Sequence, residues 1–488
     1  MSKDNQKPGV SFLWNGARIT ARQGDSVAAA LWRSGITTLA RSRKLHRPLG
    51  YSGSYPVGVL ARVNGRPNVR LDQVPVQEGL TVEMQNTWPS ARFDLLRFAQ
   101  ILPSKAVYGG FEHGAWMPKS GLGSRLAERM MANLAGVARP ADLPTEPLAV
   151  AGERVAVDCL VVGGGPSGIS EANRRSQLGE TVALVTRGDR LARSAQSFGA
   201  EVEPLNPQVR LFAGMELFGV YREGALMVAA PHENTRGAVV FDPRAAVLAT
   251  GRRSIPPLVR GNHLPGVMDA HAALQLAAVH GVVPGRRVAV VGTGAENEIA
   301  QRLASLGVDV VDRGPVEELV EIKGRARVTA IRAAREIGCD AVVHAGPWRM
   351  DPSLGFQASG EGMFQVQAQP LPETMSVVGA AALGDERISA HTHLHHDTLI
   401  CPCMDVTAGE LYCHIDDGET DPEVLKRLTS CGMGTCQGFP CWEHMLAMLA
   451  ARIGVEPEAF ARPTHRPPRR SITVAQAAGL AGLVEPDR

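Results

Sequence analysis

No cysteine precedes Cys159 in this 488-residue chain, and only two stand before residue 400. A thiolate-held metal centre in the leading part is therefore excluded. Charge of one sign is lacking as well: 51 Lys and Arg face 49 Asp and Glu, a net of +2. That balance gives no strong electrostatic case for nucleic acid or an acidic lipid surface as partner. No apolar run is long enough to cross a bilayer, and "MSKDNQKPGVSFLWNG" lacks the apolar core of a secretion signal. We expect a cytoplasmic protein without a membrane span. Low-complexity tracts are absent too. At 44% apolar and 20% charged, the composition is ordinary globular, and the length suffices for about two to four domains.

Six of the eight cysteines crowd into residues 401–441. In a reducing compartment such clustering points to metal rather than disulfides. Cys401-Pro402-Cys403 puts two thiolates on one tight turn. "TAGELYCHIDDG" reads as a helix holding Cys413, which is expected to be a small buried apolar residue. "DPEVLKRLTS" opens with Asp421 as cap and Pro422 in the first turn. In "CGMGTCQGFPC", Cys436 follows Gly432 and Gly434, while Cys441 follows Gly438 and Pro440 and begins a helix. Loops free of bulky side chains let amides approach cluster sulfides, and a helix N-terminus favours a thiolate. Cys431 competes with these as a ligand, and zinc competes as the metal. The histidines at 391, 393, 395 and 396 read as polar surface.

Ahead of the cysteines the chain changes style three times. "VSFLWNGARITA" is a hairpin about Asn15-Gly16, followed by a helix with Asp25 or Ser26 as N-cap and Gly35 as terminator. Hairpin then helix opens a ferredoxin-like β-grasp domain, expected over residues 1–95, with a connecting segment over 96–154. "RVAVDCLVVGGGPSGIS" then runs a strand into a glycine turn and a helix. This is the βαβ dinucleotide fingerprint: Gly163 for the turn, Gly165 for pyrophosphate approach, Pro166 and Ser167 opening the helix, and Gly168 for close packing. Thr186, followed by Arg187, stands where an acidic residue normally holds the ribose. Either the nucleotide is held without a carboxylate, or Arg187 meets an extra phosphate, or the site is vestigial. A second unit, "VAVVGTGAENEIA", has Gly292 and Gly294, with Asn297 at the third glycine position and Asp312 closing "VDVV" as the acidic residue.

Two consecutive dinucleotide folds resemble the two-domain flavin and nicotinamide reductases, the disulfide-reductase-like α/β class. "AAVLATGRR", with Thr250 and Gly251, resembles the return strand of that class, and "MSVVGAAALGD", with Gly379 at its tip, the last strand of the first domain. On this reading the first, FAD-type fold covers 155–272 and is completed by 371–390, and the second, NAD-type fold covers 273–370. A 2Fe–2S domain follows at 396–455. The end, 456–488, reads as an extended tail in which prolines alternate with Arg462, Arg466, Arg469 and Arg470. The long helix that caps the isoalloxazine in flavin-binding members is missing after Gly384.

The "GMGTCQGFPC" stretch resembles the 2Fe–2S domain of bacterioferritin-associated ferredoxin. The resemblance implies Cys401, Cys403, Cys436 and Cys441 as ligands, with Cys431 at a non-ligand position. The order of parts resembles the α or A subunits of heteromeric sarcosine oxidase, opine oxidase and the proline or hydroxyproline dehydrogenases. "PNVRLDQVPVQEGLTVEMQNTWPSARFDLL", "GNHLPGVM" and Asp405-Val406 fit that family. Its β-grasp cluster positions fall on Tyr51, Pro56, Val59 and Asp72, so this domain is expected to be structural and iron-free. The folate-binding half of sarcosine oxidase has no counterpart, which favours the opine and imino-acid branch.

The resemblance further implies an electron-transfer and scaffold subunit of an enzyme acting on the C–N bond of a secondary amine. A partner β subunit would carry the catalytic flavin in a hetero-oligomer, with FMN at a subunit interface. Two alternatives stand beside it: an autonomous NAD(P)H-dependent FAD reductase feeding its own cluster, and a non-catalytic assembly subunit. The sequence names no catalytic residue.

Overall fold

Strand-forming alternation in "GVSFLW" and "ARITAR" pairs Gly9–Trp14 with Ala17–Arg22 in an antiparallel hairpin. Asn15 and Gly16 turn it with φ of 49° and 81°, the paired positive values of a type I′ turn. The computed structural model describes residues 9–101, 105, 108, 120–134, 150–221, 224–232, 236–358, 371–388, 393–434, 436–463, 470 and 472–483. His391 and most of the connecting segment lie outside them. Proximity of the backbone divides the chain into two units, one of residues 1–143, 256–346 and 388–457, the other of 144–255, 347–387 and 458–488.

In the first unit the hairpin joins a five-stranded sheet ordered Ala17–Arg22, Gly9–Trp14, Thr81–Glu83, Leu60–Val63, Arg66–Arg70. Gly9–Trp14 runs parallel to Thr81–Glu83, and the helix Val27–Arg33 buries Val27 through Trp32. This is the expected β-grasp arrangement. Of the two candidate caps, Ser26 accepts from the Ala29 amide at 3.3 Å. Asp25 instead faces Arg33 and His280, at 3.1 Å each.

The same unit holds a parallel sheet ordered Val267–Asp269, Ala341–Ala345, Val288–Gly292, Val310–Pro315. Its central strands read "VAVVG" and "AVVHA" with no polar alternation, because both faces are buried. Here the domain boundary drawn from the sequence needs correction. The sequence reading puts residues 256–272 in the first nucleotide fold, yet Val267–Asp269 pairs with Ala341–Ala345 of the second. Residues 347–370, which it puts in the second fold, begin in the other unit.

The second unit is built on strands ordered Arg210–Ala213, Val182–Thr186, Glu153–Val162, Val239–Leu248, Leu226–Pro231, Met215–Tyr221. Met375–Val377 pairs with the far half of Val239–Leu248, as its sequence suggests. The tail is not wholly extended. Thr473 caps a short helix, Val474–Ala478, whose Gln476 is fully buried, and Gly479 accepts from the Gly152 amide at 3.1 Å. No helix among the described residues is long and apolar enough to cross a membrane.

Two histidines of the first unit, the buried His344 and the half-buried His263, make its stability depend on pH. Burial pushes His344 down to about 4, against the pull of Asp269, and burial with Arg47 nearby pushes His263 down to about 3. Both stay neutral in the fold, whereas the unfolded chain takes up these protons near the ordinary 6.5. Stability present above that value is therefore lost as pH falls from 6.5 towards 4. Urea midpoints are expected to drop on acidification across this window, and less so in His344→Asn. Identical pH profiles for the two proteins would refute the assignment.

Candidate metal centre and nucleotide cradles

The strand Leu399–Cys401 turns at residues 401–405 and returns as Val406–Thr407. Asp405 holds the turn, with φ +55° and 2% exposure. Its carboxylate accepts from Ser42 Oγ at 2.5 Å, from the Lys44 and Leu45 amides at 3.1 and 2.7 Å, and from Arg47 Nε at 3.2 Å. Asn262 grips the strand from the other side. Its amide donates to the Leu399 carbonyl at 2.9 Å and accepts from the Leu399 N–H at 3.2 Å. The β-grasp module and the second nucleotide fold thus both fix the cysteine turn.

The helix Pro422–Thr429, capped by Asp421, ends in Ser430 with φ +62° and delivers Cys431. The glycines that follow answer to close approach. A Cβ on Gly432 or Gly438 would enter the Trp442 ring, and one on Gly434 would collide with Cys403. Trp442 Nε1 donates to the Cys431 carbonyl at 3.0 Å, and Cys441 opens the helix Cys441–Ile453.

The result is a nest of buried thiols. Cys401, Cys403, Cys431 and Cys441 are at most 1% exposed, and Cys436 is 7%. The sulfurs of Cys401, Cys431 and Cys441 lie within 4.8 Å of one another, and Cys436 Sγ is 3.7 Å from Cys441 Sγ. Hydrogen bonds from Cys431, Cys436 and Cys441, with the Gly432 amide at 3.4 Å, hold the Cys401 thiol well below its ordinary value. The thiols that surround it, Cys431, Cys436 and Cys441, are pushed well up. Thiols packed this closely suit a cation, which binds them as thiolates and displaces their protons. The donor set therefore fits an iron–sulfur centre or zinc. The structure brings Cys431 into the group beside the four residues to which the sequence points.

Cys413 corrects an expectation, being exposed on the outer face of Ala408–Asp416. Cys159 and Cys339 are buried in their folds, where burial pushes their thiols up to about 11 and 12. They are inert residues of the core.

The two nucleotide folds differ at the glycine turn. In the first, a Cβ on Gly163 would meet the Ala249 carbonyl, and one on Gly168 the Gly163 carbonyl. Gly165 and Gly251 face open space, and Thr250 follows the neighbouring strand end. Gly379, at φ +67°, lies so close to Ser167 that no Cβ fits. The N-cap of the helix Pro166–Gln177, Gly165, makes no side-chain hydrogen bond, and this is the end of a helix that favours an anion. In the second fold the Gly294 amide donates to the chain's own Glu296 carboxylate at 2.7 Å. Asp312 is not at the strand end, where "VDVV" suggests it should be. The strand runs on to Pro315, opposite Gly292, and Asp312 sits opposite Ala289. That is roughly 10 Å below the turn at the rise of a strand.

Three comparisons bear on these parts. Residues 7–87 match the 2Fe–2S iron–sulfur cluster binding domain family, although that stretch holds no cysteine. The alpha subunit of sarcosine oxidase from Rhizobium meliloti (strain 1021) is 26% identical over 559 residues, covering 94% of this chain and 56% of the relative. The opine oxidase A subunit of the same organism is 34% identical over 88 residues, covering 18% of this chain and 19% of the relative. The match therefore spans little more than half the length of the first relative and about a fifth of the second. L-proline dehydrogenase from P. horikoshii has the same fold, with a TM-score of 0.74, 22% identity, and coverage of 97% of this chain and 98% of that one. Over nearly its whole length, then, the protein is similar to the sarcosine oxidase alpha subunit.

Proposed function

We propose that this chain is the electron-transfer and scaffold subunit of a heteromeric flavin-dependent oxidoreductase acting on the C–N bond of a secondary amine: an opine, an N-methyl amino acid or a cyclic imino acid. The buried thiol nest carries the reading. Cys401, Cys403, Cys436 and Cys441 would hold a 2Fe–2S centre, which when bound accepts one electron at a time. The Gly432 amide already points at Cys401 Sγ, and the bare backbone at Gly432, Gly434 and Gly438 lets the loop close around the site. Burial excludes water, and the Asp405 and Asn262 anchors hold the turn.

In the first nucleotide fold, Gly163, Gly165, Pro166, Ser167, Gly168, Thr250, Gly251 and Gly379 would cradle the pyrophosphate of FAD or another adenine dinucleotide. In the second, Gly292 and Gly294 form the turn, but Glu296 occupies the amide that a phosphate needs, and a carboxylate there repels one. This favours the relay over an autonomous NAD(P)H-dependent reductase. The substrate and its catalytic flavin would then belong to a partner β subunit, with FMN at the subunit interface.

Purification under anaerobic conditions, alone and with a flavin-containing partner, tests the proposal. Iron, acid-labile sulfide and amine oxidation only in the presence of the partner are expected. NADH-driven bleaching of a flavin bound to the isolated chain would establish the reductase instead.

A further inference from the structure

The β-grasp module holds no cysteine, yet one of its buried side chains has the thiol nest within electrostatic reach. Tyr55 is 6% exposed, and its hydroxyl has no hydrogen-bond partner among the described residues. A buried hydroxyl without a partner is unfavourable and asks for an explanation. Burial pushes its pKa well above the ordinary value, and Cys441, Cys401, Cys436 and Cys403 are the groups whose charge, once they are ionised, pushes it further. Those four are the proposed cluster ligands.

Local geometry sets Tyr55 apart from its neighbour Ser54. Tyr55 is extended, with φ −115° and ψ 114°, so its side chain and that of Ser54 leave the chain on opposite sides. Ser54 Oγ faces the second nucleotide fold, 3.2 Å from Asp269 Oδ2 and 3.5 Å from His344 Nε2. The Tyr55 hydroxyl has the cysteines as its charged neighbours instead. Its backbone is clamped by Ser52, whose hydroxyl accepts from the Tyr55 amide and donates to the Tyr55 carbonyl, both at 3.1 Å. Pro56 stiffens the next link.

We propose that the Tyr55 hydroxyl donates a hydrogen bond to a sulfur of the iron–sulfur cluster held by Cys401, Cys403, Cys436 and Cys441, and so raises its reduction potential. The inference rests on the metal-site reading above. Reduction adds negative charge to the sulfurs, so a donor aimed at them stabilises the reduced state more than the oxidised one. The module that matches a cluster-binding family would then serve this centre by supplying a donor instead of ligands.

The test uses the full chain, anaerobically loaded with iron and sulfide, as wild type and as Tyr55→Phe. Dithionite titration followed by absorption and electron paramagnetic resonance gives the midpoint potential. Equal loading is expected, with the one-electron reduction constant about tenfold lower in the variant, or ~59 mV more negative. A fully loaded variant with an unmoved potential overturns the proposal. Should Tyr55→Phe fail to load, 3-fluorotyrosine at position 55 keeps the ring and makes a stronger donor. It must then raise the potential, and no change overturns the idea equally. A wild-type chain that takes up no iron and sulfide would instead overturn the metal-site reading itself.

Discussion

Changing Cys436 and Cys441 together to serine is expected to abolish iron and acid-labile sulfide, while changing Cys431 to alanine leaves both near two per chain. The contrast decides between two ligand sets that the fold presents side by side. The sulfurs of Cys401, Cys431 and Cys441 form the tightest group, within 4.8 Å. Cys436 nevertheless lies 3.7 Å from Cys441 and shares hydrogen bonds with both Cys401 and Cys403. The Cys431 carbonyl is engaged by Trp442 Nε1 at 3.0 Å, which ties this residue to the helix behind the loop. Metal and sulfide analysis of the two variants also separates iron–sulfur from zinc, because zinc needs no sulfide. Retention of the chromophore in the double variant, or its loss with Cys431, would redraw the site.

Lys44→Met should destabilise the first unit by up to ~3–5 kcal/mol, the cost of removing one member of a buried ion pair. Lys44 Nζ lies 2.7 and 2.9 Å from the two Glu410 oxygens, and the side chains are 8% and 1% exposed. This pair joins the β-grasp loop to the helix that follows the cysteine turn. The double change Lys44→Met with Glu410→Leu should recover most of the loss, because two apolar groups need no charge partner. Urea denaturation of the three proteins measures the effect. A single variant as stable as wild type would mean that water reaches Glu410 and that the two modules are joined by other contacts.

The site is legible in the sequence only as far as local signals reach. Glycine spacing reveals both βαβ turns, because a missing Cβ is a local requirement, and the fold meets it at Gly163 and Gly168. The hairpin at Asn15-Gly16 and the caps Ser26 and Asp421 are legible for the same reason. Asp312 escapes such reading because strand ends are set by pairing, and a register shift after Val288 carries the strand past it to Pro315. Glu296 gives no sign in the sequence that it turns back onto the Gly294 amide.

In the sequence, Asp405 and Asn262 are no more than letters that fit a family. Their partners lie 358 to 363 positions away for the Asp405 side chain and 137 for Asn262. Composition and spacing by themselves determined the parts: a thiolate-free leading domain, two nucleotide folds, and a late cysteine nest. Only the tertiary structure decided which parts belong together, since it placed residues 256–346 in one unit with the cysteines and left the first nucleotide fold in the other. The reason is physical. Hydrophobic periodicity and turn chemistry act over a few residues, whereas buried polar contacts such as those of Asp405, Asn262 and Lys44 exist only once distant segments have met.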